Sequence, residues 1–306
     1  MRIASLIASA TEIVCALGLR EQLVGVSHEC DFPPGVENLP ILTKPQIDTK
    51  AKSEVIDQSV RKILQNGMSV YTIRTSILEK IKPDLVITQD QCEICAVSLK
   101  EVETALCSLT LPTTRLCTLQ PNFFHDILND IKRVAEMAGV HDRGENLVSQ
   151  IQNRVDFISH RLRPVGSRPT VACVEWLDPL MIAGGWMPEL VRWGGGEPVL
   201  IQSNELFSKP TWEDVRKADP DIIVILPCGY DLSRTQQELS QSTLSDRLGE
   251  FRATREGRCF LVDGNAYFNR PGPRIAESAE ILAHILHPSF LDSPEVPDPF
   301  YHIWKS

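Results

Sequence analysis

The chain has 306 residues, 42% hydrophobic and 23% charged, the balance of a globular protein long enough for two lobes with separate cores. Its net charge of −9, with no cluster of Lys and Arg, argues against a nucleic-acid partner. No apolar run approaches the ~18 residues of a membrane span, so membrane insertion is not expected.

The first strand signal is at Ile3. Ser9-Ala10-Thr11-Glu12 then opens a helix on a Ser/Thr cap, and Gly18 closes it. Leu23 to Val26 reads as a second strand. Ser53 to Gln65 carries Val55, Ile56, Val60, Ile63 and Leu64 at helical spacing. A short helix over Ser76 to Ile81 runs into Lys82-Pro83-Asp84 and the strand Leu85-Val86-Ile87. Ser98 and Glu101 have the spacing of a capping box, and Thr114 to Leu119 reads as a strand. Strands alternating with helices predict a mainly parallel sheet covered on both faces.

The middle of the chain is helical. Ile127, Ile131, Val134 and Ala138 keep helical spacing up to Gly139. Asp142 and Glu145 suggest a second capping box. Leu147, Ile151, Val155, Ile158 and Leu162 then mark one apolar face as far as Pro164. Roughly 20 helical residues span about 30 Å, a stiff strut between lobes.

A second lobe starts with the strand Thr170 to Val174. It repeats a device of the first: Ala218-Asp219-Pro220-Asp221 leads into Ile222-Ile223-Val224-Ile225, as Ile81-Lys82-Pro83-Asp84 leads into Leu85. Each is a helix end, a proline stop, an aspartate and a buried strand, which suggests two related halves. A last helix covers Ile275 to Leu286. The Pro-rich tail with Phe300, Tyr301 and Trp304 reads as an extended strap over apolar surface. The expected fold class is therefore α/β: two Rossmann-like lobes with mainly parallel sheets joined by one long backbone α-helix. The expected divisions are 1–120, 121–166, 167–288 and a tail at 289–306.

In an open parallel sheet, ligands sit beyond the carboxyl ends of the strands. That rule selects His28, Glu29 and Cys30 after Val26, and Asp90, Gln91, Cys92, Glu93 and Cys95 after Ile87. In the second lobe it selects Glu175 and Trp176, then Cys228 and Tyr230, then Tyr267 and Arg270. With Trp186, the aromatic residues suit a flat macrocycle, and Arg270 suits a carboxylate or phosphate. The plainer reading is that several of these rings only pack loops and that Arg270 bonds loop carbonyls. Gly194-Gly195-Gly196 follows a helix, so it reads as a helix stop and not as a dinucleotide loop.

Four motifs carry a resemblance that runs through nearly the whole chain: Ser9-Ala10-Thr11-Glu12, Lys82-Pro83-Asp84-Leu85-Val86, Trp193-Gly194-Gly195-Gly196-Glu197 and Arg270-Pro271-Gly272-Pro273-Arg274. The chain resembles the periplasmic binding proteins for cobalamin and iron-siderophores, the class with a helical backbone, and its cobalamin-binding branch above all. The resemblance implies non-catalytic capture of a metal chelate in a cleft between lobes. Cobalamin or another corrinoid is the expected ligand, with Ser9 joining the residues named above. In exported relatives an acidic residue on each lobe pairs with arginines of a membrane permease. Glu79 and Glu197 match those positions, and are expected to be inherited and merely solvated here.

Two features set the chain apart from exported relatives. Met1 is followed at once by strand sequence, with no basic, apolar and small-residue leader. Nine cysteines are an odd number without a framework of even spacings, which suits a reducing compartment. Both lead to the expectation of a cytoplasmic carrier or sensor with free thiols. Cys92-Glu93-Ile94-Cys95 can hold a soft metal ion or act as a redox pair. With Cys30 and Cys228 it forms the alternative expectation, a metal ion or iron–sulfur site, against the plainer one of thiols lining a pocket. A further alternative is an enzyme with a cysteine nucleophile, His28 as base and Glu93 or Asp90 as orienter, but no motif specifies a reaction.

Overall fold

The computed structural model describes residues 1–66, 68–90, 97–108, 113–202 and 204–305. The chain divides into two compact units: Met1–Ala51 with Val55–Gln150, and Lys52–Glu54 with Ile151–Ser306.

Unit 1 is built on a four-stranded parallel sheet of β1 (Ile3–Ser5), β2 (Leu23–Gly25), β5 (Leu85–Gln89) and β6 (Arg115–Leu119), in the order β2-β1-β5-β6. Strands β3 (Thr43–Pro45) and β4 (Tyr71–Ile73) pair antiparallel as a separate ribbon. The helices are α1 (Ala8–Ala16), α2 (Ser53–Gln65), α3 (Thr75–Ile81), α4 (Leu99–Ser108) and α5 (Phe124–Met137). Ala4 and Val86 on the strands and Leu6 just after β1 pack with Val60, Val70, Leu78 and Val102 in one apolar cluster. The α2 bounds are those read from its apolar spacing.

Two helix starts differ from the sequence reading. The α1 helix begins at Ala8 with Ile7 as its cap residue, so Ser9 lies inside the first turn and makes no cap. The α6 helix (His141–Arg161) begins one residue before Asp142, which puts the second suspected capping box inside the helix. The first box is half seen: Ser98 Oγ accepts from the Glu101 N–H at 3.3 Å, while Glu101 Oε1 accepts from the Ile73 N–H at 3.1 Å. The division between units falls within α6, between Gln150 and Ile151.

Unit 2 holds a mixed sheet. Its parallel centre is β7 (Thr170–Trp176), β11 (Ile222–Ile225) and β12 (Cys259–Val262). On one side β8 (Met181–Ala183) and β10 (Phe207–Ser208) add antiparallel, and β9 (Glu197–Pro198) pairs in parallel with the start of β7. On the other side β13 (Tyr301–Ile303) pairs antiparallel with β12. The end of the extended tail thus adds a short strand to the sheet, and Trp304, 8% exposed, enters the same core cluster as Val174, Ile223 and Leu261. The helices are α7 (Met187–Trp193), α8 (Trp212–Ala218), α9 (Leu232–Ser240), α10 (Leu244–Gly249), α11 (Arg252–Arg255) and α12 (Ile275–Leu286). Gly195 takes φ +83° after α7, and a Cβ there would meet the His287 ring at 2.7 Å, so the triple glycine is a helix stop.

The repeated device is present in both units. Lys82 and Asp219 end their helices in the left-handed region, at φ +43° and +39°, each before a proline. Asp84 Oδ2 then accepts from the Arg2 N–H at 2.7 Å, just before β1. Asp221 Oδ2 accepts from the Thr170 N–H at 2.9 Å, at the start of β7. In each unit the aspartate fixes the register of the two central parallel strands.

Candidate functional site

In unit 1 the chain leaves β2 into a hydrogen-bonded cluster. Thr43 Oγ1, on β3, accepts from the His28 backbone N–H at 3.0 Å and lies 2.6 Å from His28 Nδ1 and 3.0 Å from Ser27 Oγ. Tyr71, on β4, donates its hydroxyl to Glu29 Oε1 at 3.3 Å, and its ring lies 5.1 Å from the His28 ring. Glu29 Oε1 is 3.6 Å from His28 Nε2. Burial, reinforced by the charge of Arg74, pushes His28 down to about 4, so its imidazole is neutral at physiological pH. The neutral ring, the Tyr71 hydroxyl and the exposed Glu29 together offer polar groups, tied to the β3–β4 ribbon by hydrogen bonds.

The other residues expected in unit 1 fall in different settings. Ser9 is buried in α1, and Asp90 is exposed just beyond β5. Cys30 is buried in an apolar cluster with Ala8, Val26 and Val36, its Sγ 3.1 Å from Thr11 Oγ1. That is the setting of a packed thiol. Gln91, Cys92, Glu93 and Cys95 lie outside the described residues. Among the described residues no group of three or more His, Cys, Asp and Glu is placed to hold a metal ion.

In unit 2 three strand ends carry the expected residues. The Trp176 ring, at the end of β7, meets the Tyr230 ring edge-on at 5.5 Å and donates Nε1–H to the Asp178 carbonyl at 3.1 Å. Tyr230 is itself buried, and the Arg234 guanidinium lies 3.8 Å from its ring centre. Tyr230 therefore supports Trp176 from behind. Cys228 is exposed beside it, its N–H donating to the Glu175 carbonyl at 3.1 Å.

After β12 the chain turns through a π-helical segment, Gly264–Phe268, capped by Asp263 Oδ1 on the Ala266 N–H at 2.6 Å. A Cβ on Gly264 would come within 2.3 Å of the Pro227 carbonyl, so only glycine lets this turn lie against the end of β11. Asn269 Nδ2 donates to the Leu226 carbonyl at 2.9 Å and ties the two loops together. Tyr267 and Arg270 are buried; Arg270 donates to Asn265 Oδ1 at 3.0 Å, and Arg274 sits 5.4 Å from the Tyr267 ring centre. Trp186 donates Nε1–H to the Phe268 carbonyl at 3.0 Å, a loop-packing role. Glu79 on α3 and Glu197 on β9 are both exposed.

Sequence reading passed over Thr43, Tyr71 and Arg74, because the β3–β4 ribbon is brought to the end of β2 by the fold. It passed over Arg234 for a similar reason: only packing shows that it covers Tyr230.

Comparison with known proteins decides the family. The profile of the periplasmic binding protein family matches residues 3–266. The chain belongs to the periplasmic binding protein family. A curated relative, an uncharacterised ABC transporter substrate-binding lipoprotein of Bacillus subtilis (strain 168), is 23% identical over 300 residues, covering 94% of this chain and 80% of its own. Among solved structures, a periplasmic heme binding protein from Pseudomonas aeruginosa superposes with a TM-score of 0.72 at 19% identity, covering 98% of this chain and 96% of the other. A periplasmic vitamin B12 binding protein of Vibrio cholerae superposes with a TM-score of 0.64 at 19% identity, covering 93% and 96%.

The family consists of non-catalytic substrate-binding proteins of ABC transporters, which answers the enzyme alternative. It also overturns the expected cytoplasmic location. The family works outside the cytoplasm, and the curated relative is a lipoprotein. Free thiols are a weak guide to compartment here because four of the seven described cysteines are buried. Burial pushes Cys117 up to about 11, and Cys173 and Cys259 up to about 12, so none of the three is a thiolate at neutral pH. No described helix is long and apolar enough to cross a membrane.

Proposed function

We propose that this protein captures a tetrapyrrole-type metal chelate, a corrinoid first and haem second, and delivers it to an ABC transporter. The observation that carries the reading is the Trp176 ring, braced edge-on by Tyr230 at the end of β7. A large, rigid aromatic surface beyond a strand end suits a flat macrocycle better than a small hydrophilic solute. The similar heme- and vitamin B12-binding proteins support the same ligand class. Tyr267 and Arg270, also in unit 2, are the aromatic and charged groups proposed to meet the chelate's edge.

Titration with cyanocobalamin and with hemin, followed by visible absorption, tests this. One of the two should saturate at one per chain. The Trp176→Ala variant should then bind roughly 5- to 100-fold more weakly, the loss of about 1–3 kcal/mol of aromatic contact. Failure of both ligands to saturate would reject the ligand class.

A further inference from the structure

The mixed sheet of unit 2 ends on β13, which pairs with β12 and with no other strand among the described residues. The Trp304 N–H donates to the Cys259 carbonyl at 2.8 Å, and these two residues stand opposite each other in the register of β12 and β13. In an antiparallel ladder, opposite residues alternate between pairs that exchange hydrogen bonds and pairs that do not. His302, opposite Leu261, therefore bonds to β12. Tyr301 and Ile303 turn their N–H and C=O groups to the open edge, a template for pairing with another chain.

The edge is also accessible. A cavity of about 660 Å³ lies beside it, lined by Tyr301, His302 and Ile303 with His284, Asp298 and Lys305. Ile303 is 40% exposed, although its residue type suits a covered sheet face. The strand itself carries no Asp, Glu, Lys or Arg; Asp298 stands before it and Lys305 after it, both exposed.

We propose that β13 is the interface through which two copies of this chain associate, edge to edge and antiparallel, into one continuous sheet. The register that uses both outward-facing residues sets Tyr301 of each copy opposite Ile303 of the other, with His302 facing its counterpart on the two-fold axis. Each Tyr301–Ile303 pair exchanges N–H···O bonds and sets an aromatic ring against the exposed isoleucine, a favourable cross-strand pair. The same register sets Lys305 opposite Pro299 of the second copy, one residue from its Asp298. Opposite charges thus meet at both ends, whereas an in-register parallel pairing would set like charges together. A second copy fits this edge better than an unrelated peptide, because the edge is its own complement in hydrogen bonds, side chains and charge. A strand of three residues buries little area, so the dimer is weak, with a dissociation constant of about 1 µM to 1 mM.

Sedimentation velocity of the full chain over about 1 µM to 1 mM tests this. The wild type should pass from monomer to dimer across that range. Ile303→Pro removes an N–H that faces the open edge and spares the ladder to β12. It should weaken the dimer by about tenfold or more and leave the circular dichroism unchanged. Lys305→Glu and Asp298→Lys should each weaken association several-fold, and the double variant should recover it. Both residues are exposed, so these variants read the interface even where the proline variant fails to fold. A wild type that stays monomeric up to about 1 mM would overturn the proposal. So would a dimer that none of the variants weakens, or a double variant that associates no better than either single one.

Discussion

The two units start from the same plan and finish it differently. Both place a first strand beside a strand that follows a Pro-Asp pair, and both lock the two together through that aspartate. The main sheet of unit 1 has four parallel strands among the described residues, whereas that of unit 2 adds antiparallel strands on both sides, the last from the C-terminal tail. The strand ends differ as well. Unit 1 presents Ser27, His28, Glu29 and Tyr71, small or polar groups on a hydrogen-bonded ribbon. Unit 2 presents Trp176 and Tyr230, with Arg234 stacked beneath. A shared scaffold thus presents different side chains at comparable strand ends.

The comparison breaks most readily at the additions. Trp304→Ala removes a buried indole from the unit 2 core, and should destabilise that unit by about 3–5 kcal/mol. Denaturant unfolding followed by circular dichroism measures it. A change under about 1 kcal/mol would mean that the tail strand is an appendage and not part of the core.

The shared lock gives the next effect. Asp221 accepts from the Thr170 N–H and hydroxyl and also meets Arg252 at 3.0 Å, while Asp84 accepts from the Arg2 N–H. Asp221→Ala should therefore cost about 2–3 kcal/mol and Asp84→Ala about 1 kcal/mol. The Thr170 N–H, more than any other neighbour, holds Asp221 below the usual carboxylate range. Its contribution should be complete above pH ~4 and disappear as pH falls through the depressed folded value. Unfolding of wild type and Asp221→Asn across pH 2 to 7 checks the sign; equal cost in both units would refute the asymmetry of the lock.

The last effect concerns the polar strand end of unit 1 and develops only in acid. His28 titrates at about 4 in the folded protein, against about 6.5 when unfolded. The unfolded chain takes up the proton first, so stability should fall as pH drops from about 6.5 to about 4 and level off below. His28→Gln should flatten that part of the profile. A histidine NMR titration with a midpoint near 6.5 would show that the ring is not held neutral by burial.

How much of this was legible in the sequence depended on the range of the interaction. The α2 and α12 bounds follow from apolar spacing, and the Lys82-Pro83-Asp84 and Asp219-Pro220-Asp221 joints from residues in sequence order. The start of α1 did not follow, because Ser9 has the residue type of a cap while Ile7 has the cap's place. The tail strand was missed because its pairing partner, Cys259 to Val262, is some forty residues away in the chain. The strand-end rule put His28, Glu29, Trp176 and Tyr230 at or just beyond the ends of their strands, and they lie there in the fold. It gave no warning that Tyr230 would be buried as a brace, or that Cys30 would be spent on packing against Val26 and Val36. Those outcomes are set by tertiary burial, which a strand-end position alone does not encode.

The setting of Trp176 has an optical consequence. Its indole is only partly buried, with Nε1–H bound to a carbonyl and a tyrosine ring at its edge. Corrinoids and haem absorb where tryptophan emits, so a chelate seated against this ring would drain its excited state by energy transfer. If the proposed contact is made, Trp176 would serve as a fluorescent gauge of occupancy.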